Sequence, residues 1–156
     1  MLDVTVSTRR CVVRSLGGHE AMVVSLLAHP HLPLLVSASG NSIRVWDLET
    51  RSCLRTLAGH THFVYGLALD RTGRSLASGS GDRSVKLWDL DSGACFRTLE
   101  DDGMRYIFAV AWDWSGALVA SGSDNNRVRV WDATSGALRH TLVEHSGPVR
   151  ARAAHP

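Results

Sequence analysis

The sequence predicts an all-β protein built from repeated four-stranded antiparallel units. Three observations lead there. Tryptophan followed by aspartate returns at Trp46, Trp88 and Trp131, 42 and 43 residues apart. Around each pair the chain breaks into strand-length apolar runs separated by turns rich in Gly and Asp. No segment carries an apolar stripe at helical spacing.

The elements are clearest in the middle unit. "FVYGLAL" (63–69) reads as a strand, closed by the turn "DRTG" (70–73). "LASGS" (76–80) is a second strand of small residues, and "SVKLW" (84–88) alternates strictly. The turn "DLDSG" (89–93) leads to a fourth strand, "CFRTL" (95–99). The same order fits segments near 20–57 and 104–142. At the start, "LDVTVSTRRCVVRSLGGH" parallels "IRVWDLETRSCLRTLAGH", with Thr5 and Val6 where Trp-Asp would stand. Residues 1–18 therefore read as the last two strands of a degenerate unit. Full repeats follow at 19–60, 61–103 and 104–145. "PVRARAAHP" parallels "VVSLLAHP" of the first repeat, so 146–156 read as the first strand of a further unit, all within one domain, 1–156. Trp112-Asp113 is a decoy: it aligns with Leu69-Asp70, at the end of a first strand.

Composition narrows the function class. The chain has 156 residues, 44% hydrophobic and 21% charged, with net charge +2. That is an ordinary globular balance, with no basic block to steer toward nucleic acid or a membrane. Neither a signal-peptide pattern nor an N-x-[ST] site is present, and "AMVVSLLA" is too short to span a bilayer. The expectation is an intracellular protein, cytoplasmic or nuclear. Cys11, Cys53 and Cys95 lie 42 residues apart, with Ala137 in the fourth place. Equal spacing marks a repeat position rather than a disulfide framework, and predicts a small buried hydrophobe there. Arg44, Lys86 and Arg129 alternate with apolar residues and read as a solvated sheet face.

Gly-His at 18–19 and 59–60, Trp-Asp near the unit's end, and "LRTL", "FRTL" and "LRHTL" after it complete a period in the low forties. Over essentially the whole chain this resembles the WD-repeat (WD40) β-propeller family. The resemblance implies a partial β-propeller: three full blades plus two partial ones. In that family each repeat gives three strands of one blade and the outer strand of a neighbour. It also implies a hydrogen-bond relay in the middle blade, from the Trp88 indole to Ser78, His60 and Asp82. A buried indole N–H is costly to leave unpaired, so a short polar chain satisfies it and pins a loop to the sheet. In the first repeat His19, Ser37 and Trp46 fit, with Asn41 a partial substitute for the missing Asp. In the third, Ser121 and Trp131 fit and Asn125 falls where Asp82 does, but "EDDG" supplies no His.

His, Ser and Asp together also raise catalysis. Here the Ser is committed to an indole and no G-x-S-x-G elbow appears, so the chain is read as non-catalytic. "HTH" (60–62) and "HPH" (29–31) lack a third ligand at suitable spacing, and no metal or cofactor is expected. The family resemblance places partner contacts on the narrow face: at Met22 and Val24; Phe63, Tyr65 and Gly81; Tyr106, Phe108 and Asp124; and Pro148 and Arg150. Four of the chain's ten aromatics fall in this set. Val64 and Leu67 would face inward, leaving Phe63 and Tyr65 on the rim.

The resemblance implies a scaffold that binds other proteins or peptides. The alternative is a substrate-recognition adaptor of a larger enzyme complex such as a ubiquitin ligase. Adaptors of the cullin type often carry Arg two residues after Trp-Asp, whereas this chain has Glu49, Asp91 and Thr134. Small propellers need about four blades, so the chain is expected to be part of a larger propeller, to pair with a second copy, or to be capped by a partner. The first is favoured, because Arg152 stands in the place of Leu26, read as buried.

Overall fold

The structure, a computed structural model, describes residues 16–143 and 146–150. The first sheet holds β1 (Val23–Ala28), β2 (Leu34–Ser39), β3 (Ser42–Asp47) and β4 (Cys53–Leu57). The second holds β5 (Val64–Leu69), β6 (Ser75–Ser80), β7 (Val85–Asp89) and β8 (Cys95–Leu99). The third holds β9 (Ile107–Trp112), β10 (Leu118–Ser123), β11 (Val128–Asp132) and β12 (Leu138–Leu142). Every strand pairs antiparallel with its sequence neighbour. The all-β, blade-like architecture is as the repeat predicts, and the three sheets do not close a ring. No helix among the described residues is long and apolar enough to cross a membrane. Of the terminal units read at 1–18 and 146–156, residues 1–15 and 151–156, with Cys11 and Arg152, lie outside the described residues.

The sheets stack face to face, and strand alternation decides what each face carries. In β7, Val85 and Leu87 point into the core shared with the third sheet, while Trp88 points into the core shared with the first. One core joins Val36, Val45 and Leu57 to Val64, Leu76 and Trp88. The other joins Ala77, Leu87 and Leu99 to Ile107, Val119 and Trp131. Trp88 and Trp131 recur because each offers one wide ring to the preceding sheet's small and branched side chains, while Trp46 packs against His19 and Arg44.

The Asp of each Trp-Asp pair does a different job. It ends the third strand, and its carboxylate accepts backbone N–H groups of the next turn: Glu49 and Thr50 on Asp47, Ser92 on Asp89, Thr134 and Ser135 on Asp132. All three carboxyls lie below the usual carboxylate range: Asp47 chiefly through these bonds, Asp89 first through the Ser92 hydroxyl and Asp132 first through the Arg139 guanidinium, with the backbone donors adding to both. The decoy also finds a use. Trp112 ends β9 and its indole N–H donates to the Ala68 carbonyl of the preceding sheet at 3.2 Å, while Asp113 caps the turn before β10.

Several expectations are corrected. Cys53 and Cys95 are exposed rather than buried, because they open β4 and β8, the outermost strands, where each sheet meets solvent. Leu26 is 62% exposed: its sheet has no described neighbour on that side. Arg44, Lys86 and Arg129 do not form a solvated face. Each sits two positions before the Trp, on the same face of the strand, and Arg129 is only 1% exposed. Arg44 lies over the Trp46 ring, 5.7 Å from its centre, and Lys86 donates to Thr98 Oγ1.

Candidate functional site

Two groups of predicted residues are assembled by the fold, one inside the sheets and one on a loop face. Inside, β6 and β7 place Ser78 opposite Lys86, beside the Trp88 ring. Trp88 Nε1 donates to Ser78 Oγ at 2.8 Å. Ser78 Oγ lies 2.7 Å from His60 Nε2, and His60 Nδ1 lies 2.7 Å from Asp82 Oδ2. With the proton on Nδ1, the chain is continuous: indole to hydroxyl, hydroxyl to imidazole, imidazole to carboxylate. Burial works against ionisation of Asp82. Hydrogen bonds from His60, from the Ser84 hydroxyl and from the Thr61 N–H outweigh it and hold the carboxyl well below the usual range. Gly59 precedes His60 at φ +156, and a Cβ there would meet the Trp88 ring at 3.1 Å. Glycine thus lets the loop lie flat against the indole.

The flanking sheets hold their tryptophans differently. Trp46 Nε1 donates to Ser37 Oγ at 2.7 Å, and His19 Nε2 is 2.6 Å from that hydroxyl. No hydrogen bond joins Asn41 to His19; Asn41 is exposed, because the shorter hairpin does not reach the imidazole. Burial, then the positive charge of Arg44, lower the His19 pKa. In the third sheet Trp131 donates to Ser121 at 3.0 Å. No His follows. Instead buried Arg129 reaches Asp101 through Nε at 3.0 Å and Nη2 at 2.9 Å. Asn125 does not take up the role of Asp82; its Nδ2 donates to the Gly103 carbonyl at 2.7 Å, fastening the same loop from another side.

The second group lines a face made by the β6–β7 and β10–β11 hairpins and the loops entering β5 and β9. Register shifts at the start of β5 and β9 leave Tyr65 and Phe108 without a cross-strand partner. Such bulges re-aim side chains, and the two rings meet across the sheets at 5.2 Å. Phe63 stacks on Tyr65 at 6.3 Å. His62 meets the edge of Phe63 at 5.6 Å and stacks on Tyr106 at 5.5 Å. The Arg150 guanidinium lies 5.0 Å from the centre of Phe108. Gly81 must be small, since a Cβ would meet His62 Nδ1 at 2.3 Å.

Phe63, Tyr106, Met22 and Arg150 are exposed, Tyr65, Phe108 and Asp124 half-buried. The backbone N–H groups of Gly81 and Asp124 donate to the Phe63 and Tyr106 carbonyls and tie hairpins to strand starts. Val24 holds the corresponding bulge of β1, and exposed Pro148 precedes Val149, whose N–H donates to the Ser123 carbonyl. His62 enters the sequence reading only within the "HTH" metal option, not as part of the contact face. Its signal was the pairing of "HTH" with a glycine in the next hairpin. Among the described residues no group of three or more His, Cys, Asp or Glu is placed to hold a metal ion.

Comparisons with known proteins agree with this geometry. Residues 10–47, 51–89 and 93–132 each match the family described as WD domain, G-beta repeat. These matches start one strand ahead of the sheets, so β4 and β8 open the second and third repeats yet complete the first and second sheets. Pre-mRNA-processing factor 19 of Bos taurus is 37% identical over 73 residues, 46% of this chain and 14% of that protein. A Lissencephaly-1 homolog of Monosiga brevicollis is 36% identical over 63 residues, 40% of this chain and 15% of that protein. Human DDB1- and CUL4-associated factor 13 is 35% identical over 71 residues, 44% of this chain and 16% of that protein. The aligned stretch thus spans about a sixth or less of each relative. With three repeat matches running through most of its length and three sheets of the matching order, the chain belongs to the WD40 repeat family.

Proposed function

We propose that this chain is a non-catalytic scaffold that binds other proteins or peptides through the loop face carrying Phe63, Tyr65, Tyr106 and Phe108, with Met22, Asp124 and Arg150 on the same rim. One observation carries the reading: ring contacts running from His62 to Arg150 across neighbouring sheets, with Phe63 and Tyr106 left exposed. Rigid aromatic rings offer much contact area at little entropy cost, which suits interface anchors. The serines of the three relay positions are bonded to indoles, so catalysis is no part of the proposal. A cytoplasmic or nuclear setting fits the membership. Neither nucleic acid nor a membrane is included among the partners, and a second copy or the rest of a larger propeller belongs at the ends of the sheet stack.

The test is partner capture by the full chain with Phe63, Tyr65, Tyr106 and Phe108 all changed to Ala. Specific partners should be lost while circular dichroism and melting stay those of the parent. Undiminished capture by a folded quadruple variant would refute the reading. The adaptor alternative is favoured by one finding, the relative whose name records association with DDB1 and CUL4. Recovery of a cullin-ligase subunit among the captured partners would select it.

A further inference from the structure

The loop face has a second feature, set outward from its rings. Arg83, Arg105 and Arg127 line one open cavity of about 540 Å³ with Asp102, Met104 and Asn125. All three arginines are exposed. None of their guanidiniums is ion-paired within the described residues, whereas nearby Asp101 is already committed to Arg129. Asp102 is the one carboxylate in the wall. Three cations facing one anion in a concave site focus a positive field there. The cavity adjoins the ring row directly. Arg105 precedes Tyr106, and Arg83 and Arg127 belong to the hairpins whose Gly81 and Asp124 are bonded to the Phe63 and Tyr106 carbonyls. Sequence reading missed the cluster because the three residues occupy unlike places, two in hairpins and one in the loop between sheets.

We propose that this cavity receives an anionic side chain, a carboxylate or a phosphate group, on a peptide segment of a partner protein whose neighbouring apolar side chain rests on Phe63 and Tyr106. The proposal rests on the loop face being the binding face. The guanidinium fork matches both oxyanions, donating two parallel N–H bonds. A peptide fits better than nucleic acid. A phosphate backbone needs a continued basic track, and here Glu100, Asp101 and Asp102 stand in the same loop, with Asp82 and Asp124 in the adjoining hairpins. One isolated anion is attracted; a row of them meets carboxylates.

The test is selection of random displayed dodecapeptides on the full chain, followed by fluorescence anisotropy on resynthesised peptides. Selected sequences should pair Asp or Glu with a nearby large apolar residue. Amidation of the acidic side chain, or Arg83→Gln, Arg105→Gln and Arg127→Gln together, should weaken binding about tenfold or more. Phosphoserine in place of the acidic residue separates the sources: tighter binding assigns the cavity to phosphate, weaker binding to carboxylate. The proposal is overturned by a selection with no acidic preference or no peptide, by unchanged binding to a folded triple variant, or by a single-stranded oligonucleotide that displaces the peptides at lower concentration than they themselves require. Phe63→Ala with Tyr106→Ala keeps the two readings apart. Retention of full affinity there removes the rings and keeps the cavity; its loss, beside unchanged binding to the triple variant, keeps the rings and removes the cavity.

Discussion

His60 is bonded at both ring nitrogens and is almost fully buried. Its removal leaves Ser78 short of a partner and the Asp82 carboxylate short of its main donor. His19 has one such bond and is half-buried. His60→Ala should therefore cost about 2–3 kcal/mol and His19→Ala about 1 kcal/mol, a difference that denaturant melts resolve. Equal midpoint shifts would refute the ranking. Asp82 adds a pH signature. Its folded carboxyl titrates below its unfolded value of about 3.9, so its contribution is complete above that value and is lost as pH falls through the acid range. Asp82→Asn should be less stable near neutrality and lose less stability between about pH 5 and pH 2 than the parent, as acid-series melts would record. Trp, Ser, His and Asp were legible in the middle repeat because the relay uses one residue type per place. The Arg129–Asp101 pair was not. An arginine alternating with apolar residues looks solvated until an aspartate from a longer loop is folded over it.

Strands were legible because alternation is a local property. "SVKLW" sends successive residues to opposite cores and would do so in any sheet. Bulges were not, since an unpaired residue exists only relative to the partner strand's register, and Tyr65 and Phe108 owe their place on the face to that offset. The repeated "RTL" also hid a function behind its periodicity. Arg55 in β4 reaches the Ser92 carbonyl of the next sheet's turn at 3.4 Å. Arg97 in β8 reaches the Ser135 and Thr134 carbonyls. In β12 that place holds His140, and Arg139, one residue earlier, folds back on Asp132 of its own sheet at 2.7 Å. The Arg55 and Arg97 guanidiniums thus clasp consecutive sheets at their rims. Arg97→Ala should loosen the third sheet alone: amide exchange should quicken in β9–β12 and stay unchanged in β1–β4. Uniform acceleration through all three sheets would show that Arg97 serves global stability instead.

At the scale of the molecule, each sheet needs a neighbour, and among the described residues the first sheet lacks one on one side. Val64 and Ile107 open β5 and β9 at 0% exposure, while Val23, their counterpart in β1, is 42% exposed. Leu90 is 6% exposed, and Leu48 in the same place is 44%. These are the positions that the internal interfaces cover with a preceding sheet's small and branched residues, so among the described residues the first sheet presents an unmatched half of a stacking surface. At the other end the third sheet is partly covered: Val149 lies against Gly122 as Ile107 lies against Gly79. An apolar surface built to receive a sheet associates with whatever carries the complementary face, a further blade or another copy. Lysine at the two equivalent valines separates the internal surface from the open one. Val64→Lys buries an unpaired charge and should cost several kcal/mol, enough to unfold the neighbouring sheets. Val23→Lys should leave the melting temperature near that of the parent and reduce the concentration dependence of the mass seen by light scattering. Equal destabilisation by both would mean that Val23 is covered within the chain, and that its own sheets complete the stack.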